Sequence, residues 1–407
     1  MWNIRIKKHE IILYIILALS VLDIIPVSFG NSLRYKLMLC LGLVLYLYCA
    51  TVAFRRSTPV IIKVAYVVCV INAFSILSSA DNIYNYIYML MEAVLWMLVM
   101  IAVYGLVAKC SKPQEMGSNI YYCIGIIFLI CGLLCFRPSL MSSYREWVSM
   151  LYKLYYPLCL LPLVLITKKR FYLFNGYVKY SKVFVILIVG VLILLSSKRG
   201  GFIALVCGIA IYYSIIISIT PQRSKRLTYI RNVTMIFVLA LIVLIVLEQS
   251  GEFEIFNRLS SIGWNAEGTS GRTEIWKELL SVYDNGTIIQ KLFGFGHNAT
   301  YNYTTISVAG HNDYINNLFN YGLISVSLQI VIILGLIFRC FRMVKMKNTM
   351  APAFGCSLAI FFVLSMVSIC ISTSEISLYL GYIWGLVLGN SNKEQEQLTG
   401  QKNILLV

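Results

Sequence analysis

Long apolar stretches separated by short polar segments follow one another along almost the whole chain. A helix needs roughly 20 apolar residues to cross a hydrocarbon layer of ~30 Å, so each long stretch predicts a membrane-spanning helix. We expect about twelve of them, and the fold class that they predict is an all-α polytopic membrane protein. The predicted spans are 11–29, 36–54, 60–78, 86–107, 120–136, 150–167, 181–197, 200–219, 230–248, 321–338, 352–371 and 376–389.

One large polar region interrupts this pattern between the ninth and tenth spans. It is rich in aromatic residues, which is untypical of disordered chain. Within it, Thr273–Tyr283 has apolar residues along one face and predicts a short amphipathic helix. We therefore expect a small folded cap over one end of the helices. The predicted division is 1–248 for spans one to nine, 249–320 for the cap, 321–389 for spans ten to twelve, and 390–407 for a tail.

Composition supports the membrane interpretation and changes the meaning of the charge. Hydrophobic residues make up 59% of the chain and charged residues 13%, against about 25% charged in soluble proteins, which excludes a soluble enzyme. The net charge of +17 first suggests an acidic partner such as nucleic acid. With both termini in the cytoplasm, however, 23 of the 34 Lys and Arg residues fall in cytoplasmic segments. The basic excess therefore follows the positive-inside rule, and we expect no nucleic-acid partner.

The same orientation predicts a protein of the cytoplasmic membrane with its cap outside. The first apolar stretch is long, contains Asp23 and lacks a small-residue cleavage site, so we expect it to be retained as a span.

Neither a disulfide framework nor a metal centre is expected. The 12 cysteines lie in or beside apolar stretches without CxxC spacing. No Asp-x-Asp motif occurs, and the one arguable acidic cluster is Glu248, Glu252 and Glu254, for which a solvated helix end is the favoured interpretation.

Two arginines on the predicted outer side are candidates for anion binding. Lys198 and Arg199 lie in a tight Ser-Ser-Lys-Arg-Gly-Gly tip between two spans, where a cation is costly unless it faces a wet cavity or an anion. The alternative for this tip is an interfacial arginine that reaches phospholipid headgroups. Arg272 begins the predicted outer helix, and its alternative is a surface ion pair with Glu274 or Glu278.

A third motif, Gly-His-Asn-Asp, precedes the tenth span and contains His311, Asn312 and Asp313. Histidine accepts protons near neutral pH, so His311 is the first candidate for a general base. His297, in Gly-Phe-Gly-His, is the second. A lone histidine is more often structural, which is the alternative for both.

Two acidic residues are expected inside the membrane, roughly 9 Å below its outer surface at a rise of 1.5 Å per residue. They are Asp23 in the first span and Glu92 in the fourth. Intramembrane carboxylates usually face a wet cavity, so these residues are candidates for a substrate groove. A hydrogen bond between helices is an equally good interpretation.

Taken together, these motifs resemble the O-antigen ligase and polymerase superfamily of bacterial polysaccharide assembly. The resemblance covers about residues 185–340 and rests on an ordered set: a basic Gly-Gly tip, Gly-Arg-x-x-x-Trp, Gly-x-Gly, and His-Asn followed by a glycine. In this chain the set consists of Arg199, Arg272, Gly294 with Gly296, His311 and Gly322.

The resemblance implies a periplasmic glycosyltransferase with a GT-C-like helical fold that uses undecaprenyl-diphosphate-linked oligosaccharides as donor and acceptor. By position, Arg199 and Arg272, with Lys198 beside them, would bind the diphosphate, and His311 would be the base. His297, Asn312 and Asp313 would line the substrate groove. The implied reaction needs no cofactor, and a chain-length regulator protein is a possible partner.

Three functions remain open at this point. A polymerase joins repeat units, and we favour it because of the Lys198–Gly201 tip; a ligase transfers the glycan to the lipid A core and shares every motif. The third is a transporter or flippase of lipid-linked oligosaccharides, which twelve spans also suit. The sequence shows no sign of an internal repeat and has a single dominant outer region, and both features argue against a transporter.

Overall fold

The computed structural model of the chain describes residues 7–24, 28–77, 83–110, 119–136, 151–166, 172–173, 176–177, 181–195, 199–249, 272–303, 305, 310–367, 370 and 374–404. Helices dominate these residues. In the described residues before the polar region the α-helices are α1 Lys8–Ile24, α2 Ser28–Ala53, α3 Val60–Leu77, α4 Ile83–Ala108, α5 Asn119–Phe136, α6 Tyr155–Ile166, α7 Ser181–Leu195, α8 Arg199–Ile219 and α9 Arg223–Gln249.

Further helices follow in the part of the polar region and beyond that the structure describes. They are α10 Arg272–Asp284, α11 Ile288–Phe293, α12 Ala299–Tyr303, α13 Asp313–Lys345, α14 Ala351–Val367 and α15 Ser374–Ile404. A 3₁₀ turn, Leu151–Leu154, precedes α6. The two strands β1 Tyr172–Leu173 and β2 Gly176–Tyr177 form a minimal antiparallel pair.

A helix lies at each of the twelve predicted spans, and the chain is a helical integral membrane protein. Within the described residues, four helical segments are long and apolar enough to cross a membrane: Val60–Leu77, Tyr86–Ala108, Gly200–Ile219 and Asp313–Lys345. Five further apolar helical segments are shorter. The count of twelve crossings and the GT-C-like class therefore stay predictions.

Large apolar side chains on the outside of the helices fit a lipid environment. Leu47 on α2 and Phe338 on α13 are each 73% exposed, and Phe74 on α3 is 63% exposed. Surfaces of this kind on a soluble protein mark interaction sites, whereas on a spanning helix they face acyl chains.

The centre of the helix assembly is the pair α4 and α15. Gly381, Gly385 and Gly389 repeat every four residues along α15, and a Cβ at the first two positions would collide with carbonyl oxygens of α4. This spacing of small residues lets two helix backbones approach closely, as in many membrane helix pairs. Trp96 and Trp384 add an edge-to-face contact with ring centroids 5.7 Å apart.

A second, small core lies outside the main one. Ile275 and Leu279 of α10 pack with Ala299 of α12 and Phe319 of α13. The predicted amphipathic helix is thus confirmed as α10, with Ile275 and Leu279 buried on the expected face. This core joins the polar region to the first turns of α13, where the candidate site residues lie.

Candidate active site

Helix α13 is interrupted at Gly322, where φ is +76° and ψ is +177°. The interruption deprives the carbonyls of Phe319 and Asn320 of their usual helical donors, and the N–H groups of Phe295 and Gly296 donate to them at 2.9 and 3.1 Å. The segment after α11 therefore pairs with the broken helix and satisfies backbone groups that would otherwise be unpaired.

Two glycines allow this pairing because the backbones meet without space for side chains. A Cβ at Gly294 would collide with Asn320 and Tyr321, and a Cβ at Gly322 would collide with Leu292 and Gly294. Both glycines also have positive φ, of +87° and +76°, which other residues rarely adopt. The predicted motif glycines at these two positions are therefore structurally required.

A tight turn presents His311 at the start of α13. The residue has φ +49°, in the left-handed region, and its side chain is partly buried. Gly310 on one side donates its N–H to the Asn316 side chain at 2.9 Å, and its carbonyl accepts from the Trp276 indole. Asn312 on the other side caps α13 by accepting from two backbone N–H groups.

Three motif residues meet the C-terminal end of α14. Arg272 donates from Nη1 to the carbonyl of Val367 at 2.7 Å, and Asn312 donates to the carbonyl of Met366 at 3.3 Å. Asp313 is fully buried and accepts from the N–H of Cys370 at 2.8 Å. The last carbonyls of a helix lack intrahelical donors and carry partial negative charge, so a guanidinium is well placed there.

The start of α8 reaches the same place. A Cβ at Gly200 would lie 2.5 Å from Cγ2 of Val367, and one at Gly201 would lie 2.8 Å from the Tyr155 ring. Arg199 is the first residue of α8, directly before these glycines. The start of α8, the start of α10 and the turn before α13 therefore converge on the end of α14.

A second cluster joins the polar region to α4. His297 is buried and lies between two side chains, with Nδ1 2.6 Å from the Tyr321 hydroxyl and Nε2 3.1 Å from Oε2 of Glu92. The Glu92 side chain is 24% exposed, whereas that of His297 is 4% exposed. The accessible part of this cluster therefore belongs to the Glu92 side chain, and His297 and Tyr321 are buried beside it.

An exposed tyrosine lies in the electrostatic field of Glu92. Tyr301 in α12 is 44% exposed, and its pKa is raised, first by partial burial and then by the charge of Glu92. In contrast, Tyr303 packs edge-on against Phe295 and Phe319, with centroids 5.3 and 5.8 Å away. The two tyrosines of this short helix thus have different surroundings.

The comparison with known proteins concerns the segment that carries most of these residues. Residues 184–330 match a family model described as O-antigen ligase. This segment is similar to the O-antigen ligase family. The resemblance expected for about 185–340 is confirmed, and no curated protein matches the chain.

The O-antigen ligase segment contains all the motif residues but not the whole site. Members of the superfamily are glycosyltransferase-like enzymes of the polymerase or ligase type, and the match does not distinguish the two. Glu92 on α4 and Val367 on α14 lie outside residues 184–330, yet they bond to His297 and Arg272 of the family segment. The neighbouring helices therefore complete the site.

The structure brings several predicted site residues together and leaves others undescribed. Arg272, Asn312 and Asp313 meet at α14, and Glu92 pairs with His297. Lys198 lies outside the described residues, as do the side chains of Arg199 and Asp23 and the acidic cluster Glu248, Glu252 and Glu254. Among the residues that are described, no group of three or more potential metal ligands occurs.

One member of the site, Tyr321, and one contact, that of Trp276, were not predicted from the sequence. Tyr321 holds the second nitrogen of His297, and its one sequence signal is its position directly before the motif glycine Gly322. Trp276 was known as a motif residue, but its bond to Gly310, which steadies the His311 turn, had no sequence signal.

Proposed function

We propose that the protein is an O-antigen or capsular polysaccharide polymerase, an inverting glycosyltransferase that joins undecaprenyl-diphosphate-linked repeat units. One observation carries the proposal. The start of α8, Arg272 and the His311 turn, which are far apart in the chain, converge on the end of α14 within and beside a segment that matches the O-antigen ligase model.

The diphosphate of the donor is bound by Arg199 and Arg272, with Lys198 as a neighbouring cation. A guanidinium makes paired hydrogen bonds to phosphate oxygens, and its plane must be oriented for this. The bond from Arg272 to Val367 provides such an orientation. Since negative charge grows on the diphosphate as the glycosidic bond breaks, fixed cations lower the barrier.

His311 is the general base in this proposal. The acceptor hydroxyl oxygen attacks the anomeric carbon while His311 takes the hydroxyl proton. The bond from the anomeric carbon to the phosphate oxygen breaks, undecaprenyl diphosphate leaves, and the configuration inverts. The turn from Gly310 to Asn312 fixes the backbone on both sides of His311, which suits a base that must meet one hydroxyl.

The reaction as proposed uses no metal and no other cofactor, because two arginines take the place that a divalent cation has in enzymes with an Asp-x-Asp motif. The sequence contains no such motif. Twelve spans of GT-C-like arrangement, cytoplasmic termini and an active site on the periplasmic face of the inner membrane belong to the same proposal. The partners are membrane lipid, the lipid-linked oligosaccharides and a chain-length regulator.

Two other functions compete with the polymerase. An O-antigen ligase would transfer the glycan to the lipid A core with the same residues, and the family match favours it equally. A transporter or flippase would place its polar residues near the middle of the membrane. The polar clusters found here instead join the region between α9 and α13 to the ends of the spanning helices.

The test is the lipopolysaccharide pattern of a strain that lacks the chromosomal copy. Loss of a polymerase leaves core with a single repeat unit, whereas loss of a ligase leaves bare core. Re-expression of the wild-type chain restores long glycan. We expect Arg199→Ala, Arg272→Ala and His311→Ala to lower chain extension by at least 100-fold, because each removes a group that acts in the transition state.

Lys277→Ala is the matched control, since Lys277 is an exposed cation on the same helix as Arg272. Its glycan should match the wild type in length and amount. Membrane levels of every variant are measured by immunoblot. Long glycan in all three variants at wild-type protein levels would contradict the enzyme proposal.

A further inference from the structure

The cluster of Glu92, His297 and Tyr321 has no part in the reaction described above, although a buried histidine and a largely covered acidic side chain are costly to maintain. Its three members come from α4, from the segment after α11 and from α13. Only Glu92 has substantial exposure. The part of this cluster that a solute can reach is therefore the Glu92 side chain.

The hydrogen bonds determine which groups donate when Glu92 is ionised. An ionised carboxylate only accepts, so Nε2 of His297 carries a proton and donates it to Oε2 at 3.1 Å. In the neutral ring Nδ1 then accepts, and the Tyr321 hydroxyl donates to it at 2.6 Å. Both nitrogens of the ring are used, which fixes its plane and hence the orientation of the carboxylate.

A carboxylate held in this way is suited to bind hydroxyl groups. Its two oxygens provide about four acceptor sites, and one bond to His297 leaves capacity for two hydroxyl donors on adjacent carbons of a sugar. Charged acceptors form hydrogen bonds about twice as strong as neutral ones. A purely structural bond between α4 and the polar region would not need an exposed charge.

Tyr301 supplies an exposed aromatic ring on the helix that follows His297. The first residue of this helix, Ala299, donates its N–H to the carbonyl of Gly296 at 3.3 Å, so α12 starts beside the histidine that bonds to Glu92. The Tyr301 side chain is 44% exposed, and the direction of its pKa shift, raised by partial burial and then by the charge of Glu92, agrees with this placement. Ala299 and Thr300, which precede it in α12, are buried and anchor the helix. A tyrosine face presents apolar surface at low conformational cost, as the C–H face of a pyranose requires.

We propose that Glu92 and Tyr301 form the subsite that binds a sugar ring of the acceptor, with His297 and Tyr321 as positioning residues for Glu92. This inference rests on the proposed function, because it supplies the acceptor side of that reaction. Glu92 accepts hydrogen bonds from two ring hydroxyls, and the Tyr301 ring stacks on the sugar. The diphosphate of the donor lies at the other cluster, by Arg272.

The experiment measures the affinities for the two glycosyl substrates separately, because it uses an acceptor substrate that has no diphosphate and cannot serve as the glycosyl donor. The full-length protein in nanodiscs receives a fixed amount of lipid-diphosphate-linked repeat unit, and the varied acceptor is the same repeat unit on a short alkyl chain without diphosphate. Initial rates give KM for each substrate and kcat. Calorimetry with the alkyl repeat unit alone measures binding without turnover.

Glu92→Gln should raise the acceptor KM by about tenfold to 100-fold, as expected for loss of a charged hydrogen bond, and leave the donor KM within about twofold. Tyr301→Ala should raise the acceptor KM by about three- to tenfold, whereas Tyr301→Phe, which keeps the ring, should stay within about twofold. Asp284→Asn, at an exposed carboxylate of α10, is the control and should change neither constant.

His297 is tested by a pair of variants. His297→Leu removes the donor to Glu92 and should reproduce the acceptor KM of Glu92→Gln, whereas His297→Gln keeps an N–H near the position of Nε2 and should recover most of the affinity. Tyr321→Phe should have an intermediate effect. A merely structural role of His297 would instead lower the amount of folded protein in both variants, with unchanged KM.

Three results would overturn the inference in distinguishable ways. A wild-type chain that forms no glycosidic bond overturns the proposed function, and the acceptor subsite with it. An active wild type with unchanged acceptor KM and calorimetric affinity in Glu92→Gln and Tyr301→Ala overturns the subsite alone. If Glu92→Gln does not fold, Glu92→Asp and Tyr301→Ala decide the question, and equal effects on donor and acceptor KM contradict it.

Discussion

At Gly322 two stretches of backbone approach so closely that no side chain fits between them. The residue combines a positive φ of +76° with a Cβ position occupied by Leu292 and Gly294. An alanine would therefore have to shift the segment after α11 as well as adopt an unfavourable conformation. That segment carries His297, so a shift caused at Gly322 would also displace His297 from Glu92 and Tyr321.

Gly322→Ala should abolish chain extension and lower the thermal unfolding midpoint in detergent by several degrees. Its control is Gly125→Ala in α5, where an added Cβ meets nothing within 4 Å and the helix gains about 0.5–1 kcal/mol from the better helix former. Both are measured by thermal unfolding and by glycan length. Wild-type behaviour of Gly322→Ala would show that the close approach to Gly294 is unimportant.

Most residues of the site could be named from the sequence, but the contacts between them could not be predicted. Arg272, His311 and Asn312 stand in short motifs whose order was readable from the sequence. In contrast, Glu92 and His297 are 205 positions apart, and hydropathy marks Glu92 only as a polar residue in a span. Pairing across the fold depends on how the segment after α11 reaches α4, which no local pattern encodes.

At the scale of elements, α13 connects the two clusters. Its first residues cap the turn that holds His311, and the Gly322 kink accepts the segment that holds His297. Across the kink runs a buried polar chain: Asn317 donates to Gln329, which donates to Ser325. Ser325 donates in turn to Asn72 of α3 at 2.6 Å. This chain holds the two halves of α13 in register with each other and with α3.

A double-mutant cycle tests the link between α3 and α13. Ser325→Ala and Asn72→Ala should each destabilise the protein, and their coupling free energy should be about 0.6 kcal/mol and at most ~1.7 kcal/mol, the range found for hydrogen bonds between membrane helices. Stability is measured by unfolding in a denaturing detergent. Ser218→Ala, whose exposed hydroxyl bonds only within its own helix, should be additive with Asn72→Ala. A coupling of zero for Ser325 and Asn72 would contradict the link.

The helices themselves were predictable because hydropathy alone determines them, and their ends were not. The tenth span was predicted at 321–338, yet α13 runs from Asp313 to Lys345. An apolar stretch reports the part of a helix in contact with lipid, while caps and turns decide where the helix stops. The Asn312 cap and the turn at Met346 therefore lie beyond what hydropathy can show.

At the scale of the whole molecule, the charge distribution and the order of the helices together predict the orientation of α9 in the membrane. The turn Thr220–Gln222 between α8 and α9 is followed by four cations within nine residues, Arg223, Lys225, Arg226 and Arg231, which predicts a cytoplasmic position. The region after α9 contains Arg272, His297 and His311 and is predicted to lie outside. Helix α9 must then cross the membrane, although it is not among the four segments that are clearly long and apolar enough.

Truncated fusions on either side of α9 test this orientation. Alkaline phosphatase joined after Asn285, in the exposed turn between α10 and α11, should be active, because that enzyme folds only outside the cytoplasm. Green fluorescent protein joined after Gln222 should fluoresce, since it matures only inside, and exchange of the two reporters should silence both. A fusion after Lys347, between α13 and α14, should behave like the one after Gln222, because α13 is long enough to cross. Green fluorescence from fusions on both sides of α9 would mean that this helix does not span, and the Arg272 and His311 cluster would then face the cytoplasm together with the basic turn.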